Sequence, residues 1–327
     1  MESWQSELRE GFRDPESLLR FLNIKKLENV FLQSSFPTRV PLSFANRMEK
    51  YNIDDPLLLQ VLPNLNEKLI TPEFKKDAVG DLKSIKHKGL IQKYKGRVLL
   101  ILTGSCAVHC RYCFRRHFPY SEQIMSTETK KEILKIIKND PTIEEVIFSG
   151  GDPLLLTNQS LQEWSQDLLQ ISNIKRWRIH TRLPSVLPSR IDLGLIEILK
   201  NFQTNNRKVI LVSHINHPNE FNDEVNFAFN KFQKASITLL NQSVLLSGIN
   251  DNSLILKSLS EKLFLNGVLP YYLHLLDRTQ GTQHFEVNIE ETKKIYHELT
   301  SILPGYLVPK LVREIDGEPY KIIFGHA

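Results

Sequence analysis

The chain has 327 residues, 41% of them apolar, with 42 Lys and Arg against 37 Asp and Glu. That suits an ordinary globular protein with one large α/β domain, and a charge surplus spread without a basic block gives no case for nucleic acid. The beginning, MESWQSELREGF, carries acids where a signal peptide needs an apolar run, and stretches such as Val98 to Leu102 fall far short of the roughly 20 apolar residues that span a bilayer, so a soluble cytoplasmic enzyme with no membrane partner is expected.

Residues 1–92 read as a helical region covering the rest. Asp14 suits an N-cap with Pro15 at the first helical position, and Leu18, Leu19, Phe21 and Leu22 supply an apolar stripe. Asp55-Pro56 opens a similar segment through Leu57, Leu58, Val61 and Leu62. From about residue 96 the rhythm changes to short apolar runs alternating with amphipathic segments. Strands are predicted at 97–103, 145–149, 177–181, 208–214, 236–241 and 268–276, with helices around 127–138, 160–171, 192–202, 220–234, 253–265 and 289–302. Such alternation argues for an α/β fold with a parallel sheet, open or curled into a barrel, over 93–303, followed by a C-terminal segment, 304–327.

The only three cysteines, Cys106, Cys110 and Cys113, lie within eight residues, just after the first of these strands. A tight, odd-numbered set is a poor disulfide framework and a good metal site, and in a parallel sheet this loop is at the carboxyl edge, where ligands bind. Three thiolates can hold three irons of a four-iron cubane and leave the fourth open to a substrate. The alternative is a structural zinc site completed by His109 or His117. At the end of the next strand, Gly150, Gly151, Asp152 and Pro153 form a turn whose adjacent glycines let the backbone approach a ligand.

The cysteine spacing, with Tyr112 before the third cysteine, resembles the signature of the radical S-adenosylmethionine superfamily, and GGDP resembles its second element. Further segments are similar to the lysine 2,3-aminomutase family, and most to its short branch, which makes (R)-β-lysine for a separate ligase that modifies elongation factor P. These are KYKGRVLLILTGSCAVHCRYCFRR (93–116), FSGGDPLLL (148–156), HTRLPSVLPSRI (180–191), HINHPNE (214–220), NQSVLLSGIND (241–251), PYYLHLLD (270–277) and GYLVPKLVREIDGEPYK (305–321). The short distance from Lys321 to the end of the chain fits that branch too.

The resemblance implies a partial (β/α)6 barrel, a [4Fe–4S] cluster, S-adenosylmethionine, pyridoxal 5′-phosphate and an external electron donor. It assigns Cys106, Cys110 and Cys113 to the cluster, and Gly150, Gly151, Asp152, His214 and Gln242 to S-adenosylmethionine. Lys321 would hold pyridoxal phosphate covalently, with Lys93, Tyr94 and Arg97 on its phosphate and Lys310 as the nearest competing lysine. The chain departs from the family by following Lys321 with Ile322-Ile323 instead of Thr-Pro. Free lysine carries a carboxylate at one end and an ammonium at the other. Arg115 matches the family's carboxylate-binding arginine, Asp277 an acid for the ε-ammonium, and Glu314 stands where the family has a second acid. Rival readings are the same chemistry on glutamate or arginine, of which Asp277 disfavours glutamate, and a noncatalytic zinc-binding module.

Overall fold

The structure, a computed structural model, describes residues 3–25, 30–32, 34–204 and 206–324. Ten strands form one sheet in chain order: β1 (Ile85–His87), β2 (Leu90–Ile91), β3 (Arg97–Thr103), β4 (Glu145–Gly150), β5 (Arg176–Thr181), β6 (Lys208–Ser213), β7 (Thr238–Val244), β8 (Leu269–His274), β9 (Lys310–Arg313) and β10 (Ile322–Ile323). Strands β3 to β9 are parallel. The antiparallel pair β1–β2 joins β3 at one edge and β10 folds back on β9 at the other. Among the described residues no ladder joins β10 to β1, so the sheet is open.

Helices Thr127–Asn139, Asn158–Leu169, Leu193–Phe202, Asp223–Lys234, Ser253–Leu265 and Ile289–Ile302 each return the chain between parallel strands. All six strands and all six helices expected between 97 and 302 are present, with ends shifted by a few residues. Their helix-facing side chains build the core. Trp177 on β5 is fully buried and meets Phe148 and Phe202 edge-on at ring distances of 5.0 and 5.2 Å. Burial alternates along β5, so Trp177 and Ile179 face the helices while Arg178 and His180 share the opposite face. On that face Arg178 pairs with Glu145 of β4 at 3.1 Å. A sheet with charges on its inner face needs partners for them, supplied by one another or by a ligand.

The N-terminal region is less helical than its sequence suggests. Asp14 caps Pro15–Phe21 by accepting from the Ser17 amide at 2.8 Å. Asp55 likewise accepts from the amides of Leu57 and Leu58, yet that helix covers only Pro56–Leu59, because Pro63 disfavours helical backbone just beyond it. With Ser3–Glu10 and the single turn Leu42–Ala45, these are the α-helices of the described N-terminal residues. Strands β1 and β2, although before residue 93, belong to the sheet.

Candidate active site

The cysteine loop leaves β3 at Thr103 and packs directly on the end of β4. The Gly151 and Asp152 amides donate to the Thr103 and Ser105 carbonyls at 2.7 and 2.8 Å. This approach requires glycine: Gly150 sits at φ +122°, and a Cβ on Gly151 would lie 2.1 Å from the Ser105 oxygen. The Asp152 carboxylate accepts from the Leu154 amide at 3.1 Å, the Thr181 hydroxyl at 2.8 Å and the Arg182 amide at 2.8 Å. Its side chain therefore braces the end of β5. Burial lifts this carboxyl to about 6 against the pull of those hydrogen bonds.

Cys106, Cys110 and Cys113 are free and partly buried. Burial pushes Cys106 well up and Cys113 to about 11, and the neighbouring thiols add to both shifts. Among the described residues no set of three His, Cys, Asp or Glu side chains is arranged to hold a metal ion. Thiolates on separate irons of a cluster need not converge on a point as ligands of one ion must, so the donor set fits a cluster better than zinc. The two histidines proposed for zinc face main chain: His109 Nδ1 lies 3.0 Å from the Pro37 carbonyl oxygen and His117 Nε2 2.9 Å from that of Gln280.

Tyr112 stacks on His214 and its hydroxyl lies 3.1 Å from His214 Nε2. Burial, with Arg182 beside it, lowers His214 to about 3 and keeps it neutral. Gln242 lies on β7, partly buried and in register with Tyr272 of β8.

A second group of charges gathers from the segment before β3, the cysteine loop and the C-terminal hairpin. Ile322 pairs with Arg313 and Ile323 with Val312, so the next rung sets Lys321 across from Glu314. The two form an ion pair. The Ile-Ile that replaces Thr-Pro is β10 itself, the strand that creates this rung. Lys93 reaches Glu314 at 2.7 Å and Asp81 at 2.6 Å, while Asp81 reaches Arg115 Nε at 2.6 Å. Arg115 Nη1 also donates to the Ser149 hydroxyl at 2.9 Å. Burial works to raise Glu314, but the Lys321 and Lys93 ammoniums outweigh it and hold the carboxyl well below the usual range. Asp81 is likewise low despite its burial, through Arg115 and Lys93.

Asp277, after β8, has a buried Oδ1 without a hydrogen-bond partner, and burial together with Glu314 pushes it up to about 7. His180 and His274, on β5 and β8, also have Nε2 atoms buried without partners, and burial with nearby cations, Lys321 among them, keeps both neutral. These orphaned atoms around Lys321 suit a polar ligand such as a pyridoxal phosphate–amino acid pair.

The predicted phosphate group is divided. Lys93 is taken by two carboxylates, whereas Arg97, at the amino end of β3, lies 4.6 Å over the Tyr94 ring. Burial and Glu314 raise the Tyr94 phenol, which puts Tyr94 beside the acid as well. Lys310 is exposed on β9. A cleft lined by Val79, Lys83, Lys93, Tyr94, Asp316 and Gly317 among others borders this group at Lys93 and Tyr94. Sequence reasoning missed Asp81, His180, Arg182 and His274. Asp81 stands in KKDAVGDLKS, where it reads as one more solvated charge.

Residues 100–255 match the Radical SAM superfamily. The chain is 46% identical over 325 residues to the L-lysine 2,3-aminomutase of Buchnera aphidicola subsp. Baizongia pistaciae, covering 98% of this chain and 95% of that one. It is 46% identical to the L-lysine 2,3-aminomutase of Escherichia coli K12, covering 98% and 94%. With the enzyme of that name from Clostridium subterminale it shares 31% identity, over 96% of this chain and 76% of the other.

Proposed function

The chain belongs to the L-lysine 2,3-aminomutase family of radical S-adenosylmethionine enzymes, which implies a [4Fe–4S] cluster and S-adenosylmethionine, and on that premise we propose that it moves the amino group of free L-lysine from carbon 2 to carbon 3. The product is β-lysine, and the similarity to the short branch, with higher identity to the Escherichia coli and Buchnera relatives than to the clostridial one, supports the (R) form made for elongation factor P. Pyridoxal phosphate is the second cofactor. Bound together, these groups supply a hydrogen-abstracting radical and a conjugated system that delocalises the substrate radical.

The chain's own residues divide the remaining work. Cys106, Cys110 and Cys113 would hold the cluster; the Gly150–Gly151 backbone, braced through Asp152, would meet S-adenosylmethionine with neutral His214 and Gln242. Lys321 would hold pyridoxal phosphate, with Arg97 and Tyr94 as donors for its phosphate and Lys93 available to it only on leaving Asp81 and Glu314. Asp81 and Ser149 fix the Arg115 guanidinium for the substrate carboxylate. At the other end are Glu314 and Asp277.

The observation that carries this reading is the ion pair of Glu314 with Lys321, beside the unpartnered Asp277 carboxyl. With Lys321 holding pyridoxal phosphate covalently, Glu314 would have one cation partner fewer. A substrate ε-ammonium placed beside Glu314 and Asp277 would favour the ionised Asp277 carboxylate, whose proton leaves to solvent, so these two acids would read the charge at the end of the side chain. An uncharged side chain would leave buried acids unpaired, at a cost of several kcal/mol. The test is competition: anaerobically reconstituted protein given L-lysine, L-arginine and L-glutamate together should release a β-amino acid from lysine alone. A β-product from arginine or glutamate at a comparable rate contradicts the assignment.

A further inference from the structure

We propose that Arg182 is a positioning residue for the cluster: its guanidinium donates a charge-assisted hydrogen bond to the Cys110 sulfur and so holds the cluster's reduction potential up. The inference rests on the three cysteines being cluster ligands.

Arg182 is the first residue after β5 and is 7% exposed. Its Nη1 lies 2.7 Å from Cys110 Sγ. Nη2 donates to Gln60 Oε1 at 2.5 Å and lies 3.4 Å from Glu220 Oε2. The main chain is held as firmly, since its amide donates to Asp152 at 2.8 Å and its carbonyl accepts from Ser185 at 3.2 Å. The Phe44 ring lies 5.3 Å from the guanidinium carbon. A cation fixed from so many directions cannot turn away when the electron count at the sulfur changes.

A guanidinium keeps its charge in a protein interior, and here Glu220 Oε2 lies 3.4 Å from Nη2 as a counter-ion. Glu220 is itself fully buried and accepts from the Asn216 amide at 2.9 Å, so it does not swing over to neutralise Arg182 completely. Hydrogen bonds to cluster sulfurs and nearby positive charge favour the reduced cluster, and low local dielectric enlarges the effect. The electron comes from an external one-electron donor. Arg182 makes it easier for the cluster to accept.

The rival role for Arg182 is that of a partner for the buried Glu220 and nothing more. Removing Arg182 alone would strand that acid and threaten folding, so the experiment uses E220Q as background. The holoproteins E220Q, R182M/E220Q and R182K/E220Q are reconstituted anaerobically, checked for iron and sulfide, and titrated by redox potential with the reduced cluster read by electron paramagnetic resonance.

In R182M/E220Q the ratio of reduced to oxidised cluster at a fixed potential should fall at least tenfold, a shift of about 59 mV for one electron. R182K/E220Q, which keeps the charge without the fork, should fall between the two. A change below tenfold in R182M/E220Q overturns the proposal. If that folded variant assembles no cluster, R182K/E220Q decides, and a potential equal to that of E220Q overturns it. A wild-type chain that assembles no cluster would instead overturn the cysteine assignment itself.

Discussion

Asp277→Asn should make the ligand-free protein more stable above neutral pH while making it a poorer enzyme. The Asp277 carboxyl ionises near 7 in the folded chain, against 3.8 as its ordinary value, because burial and Glu314 outweigh Lys321 and Lys93. Between those values the folded chain holds a proton that the unfolded chain has lost, so stability falls as pH rises from about 4 to about 7 and is lowest above that. The full cost of carrying the anion there is about 4 kcal/mol. Asparagine removes it but leaves a buried amide without a partner, at about 1–3 kcal/mol, so the net gain at pH 8 is about 1–3 kcal/mol. Urea unfolding of both proteins from pH 5 to 8, with the thiols kept reduced, measures it. Lysine turnover should meanwhile fall about 30-fold or more, the loss expected for a desolvated charge pair. Equal pH slopes for the two proteins, or a less stable variant at pH 8, would refute the reasoning.

Alanine in place of Cys106, Cys110 or Cys113 should abolish cluster assembly and reductive cleavage of S-adenosylmethionine, measured as iron, labile sulfide and 5′-deoxyadenosine. Lys321→Ala should retain the cluster and lose the pyridoxal phosphate label trapped by borohydride; a label recovered on Lys310 would move the attachment site. Asp81→Asn strips the shared carboxylate from Lys93 and Arg115 and should cost about 3–5 kcal/mol in urea unfolding, with a raised KM for lysine as Arg115 loses its anchor.

Much of the fold is legible because the β–α units repeat a simple rule, an apolar run of strand length followed by an amphipathic helix. β9 escaped since KLVR offers only two apolar residues, and β10 since two residues make no period. The short N-terminal helices look longer in sequence because the stripe through Leu57, Leu58, Val61 and Leu62 continues past the last helical turn. In the site, the cysteines and glycines are legible by spacing, while Lys321 and Glu314 needed the likeness to a family, since seven residues of separation become one rung only through a hairpin. Asp81 and Arg182 act through partners far away in sequence, Glu314 through Lys93 and Cys110 through a sulfur contact, and no local pattern records such pairs.

Migration of the amino group within lysine is tested most directly with L-lysine labelled with 15N at the α-amino group. Protein reconstituted with iron, sulfide and pyridoxal phosphate is incubated anaerobically with this substrate, S-adenosylmethionine and a reductant, and the products are followed by 15N and 13C magnetic resonance. The expected result is β-lysine with the label bound to carbon 3. S-adenosylmethionine cleavage with the label still on carbon 2 would contradict the account.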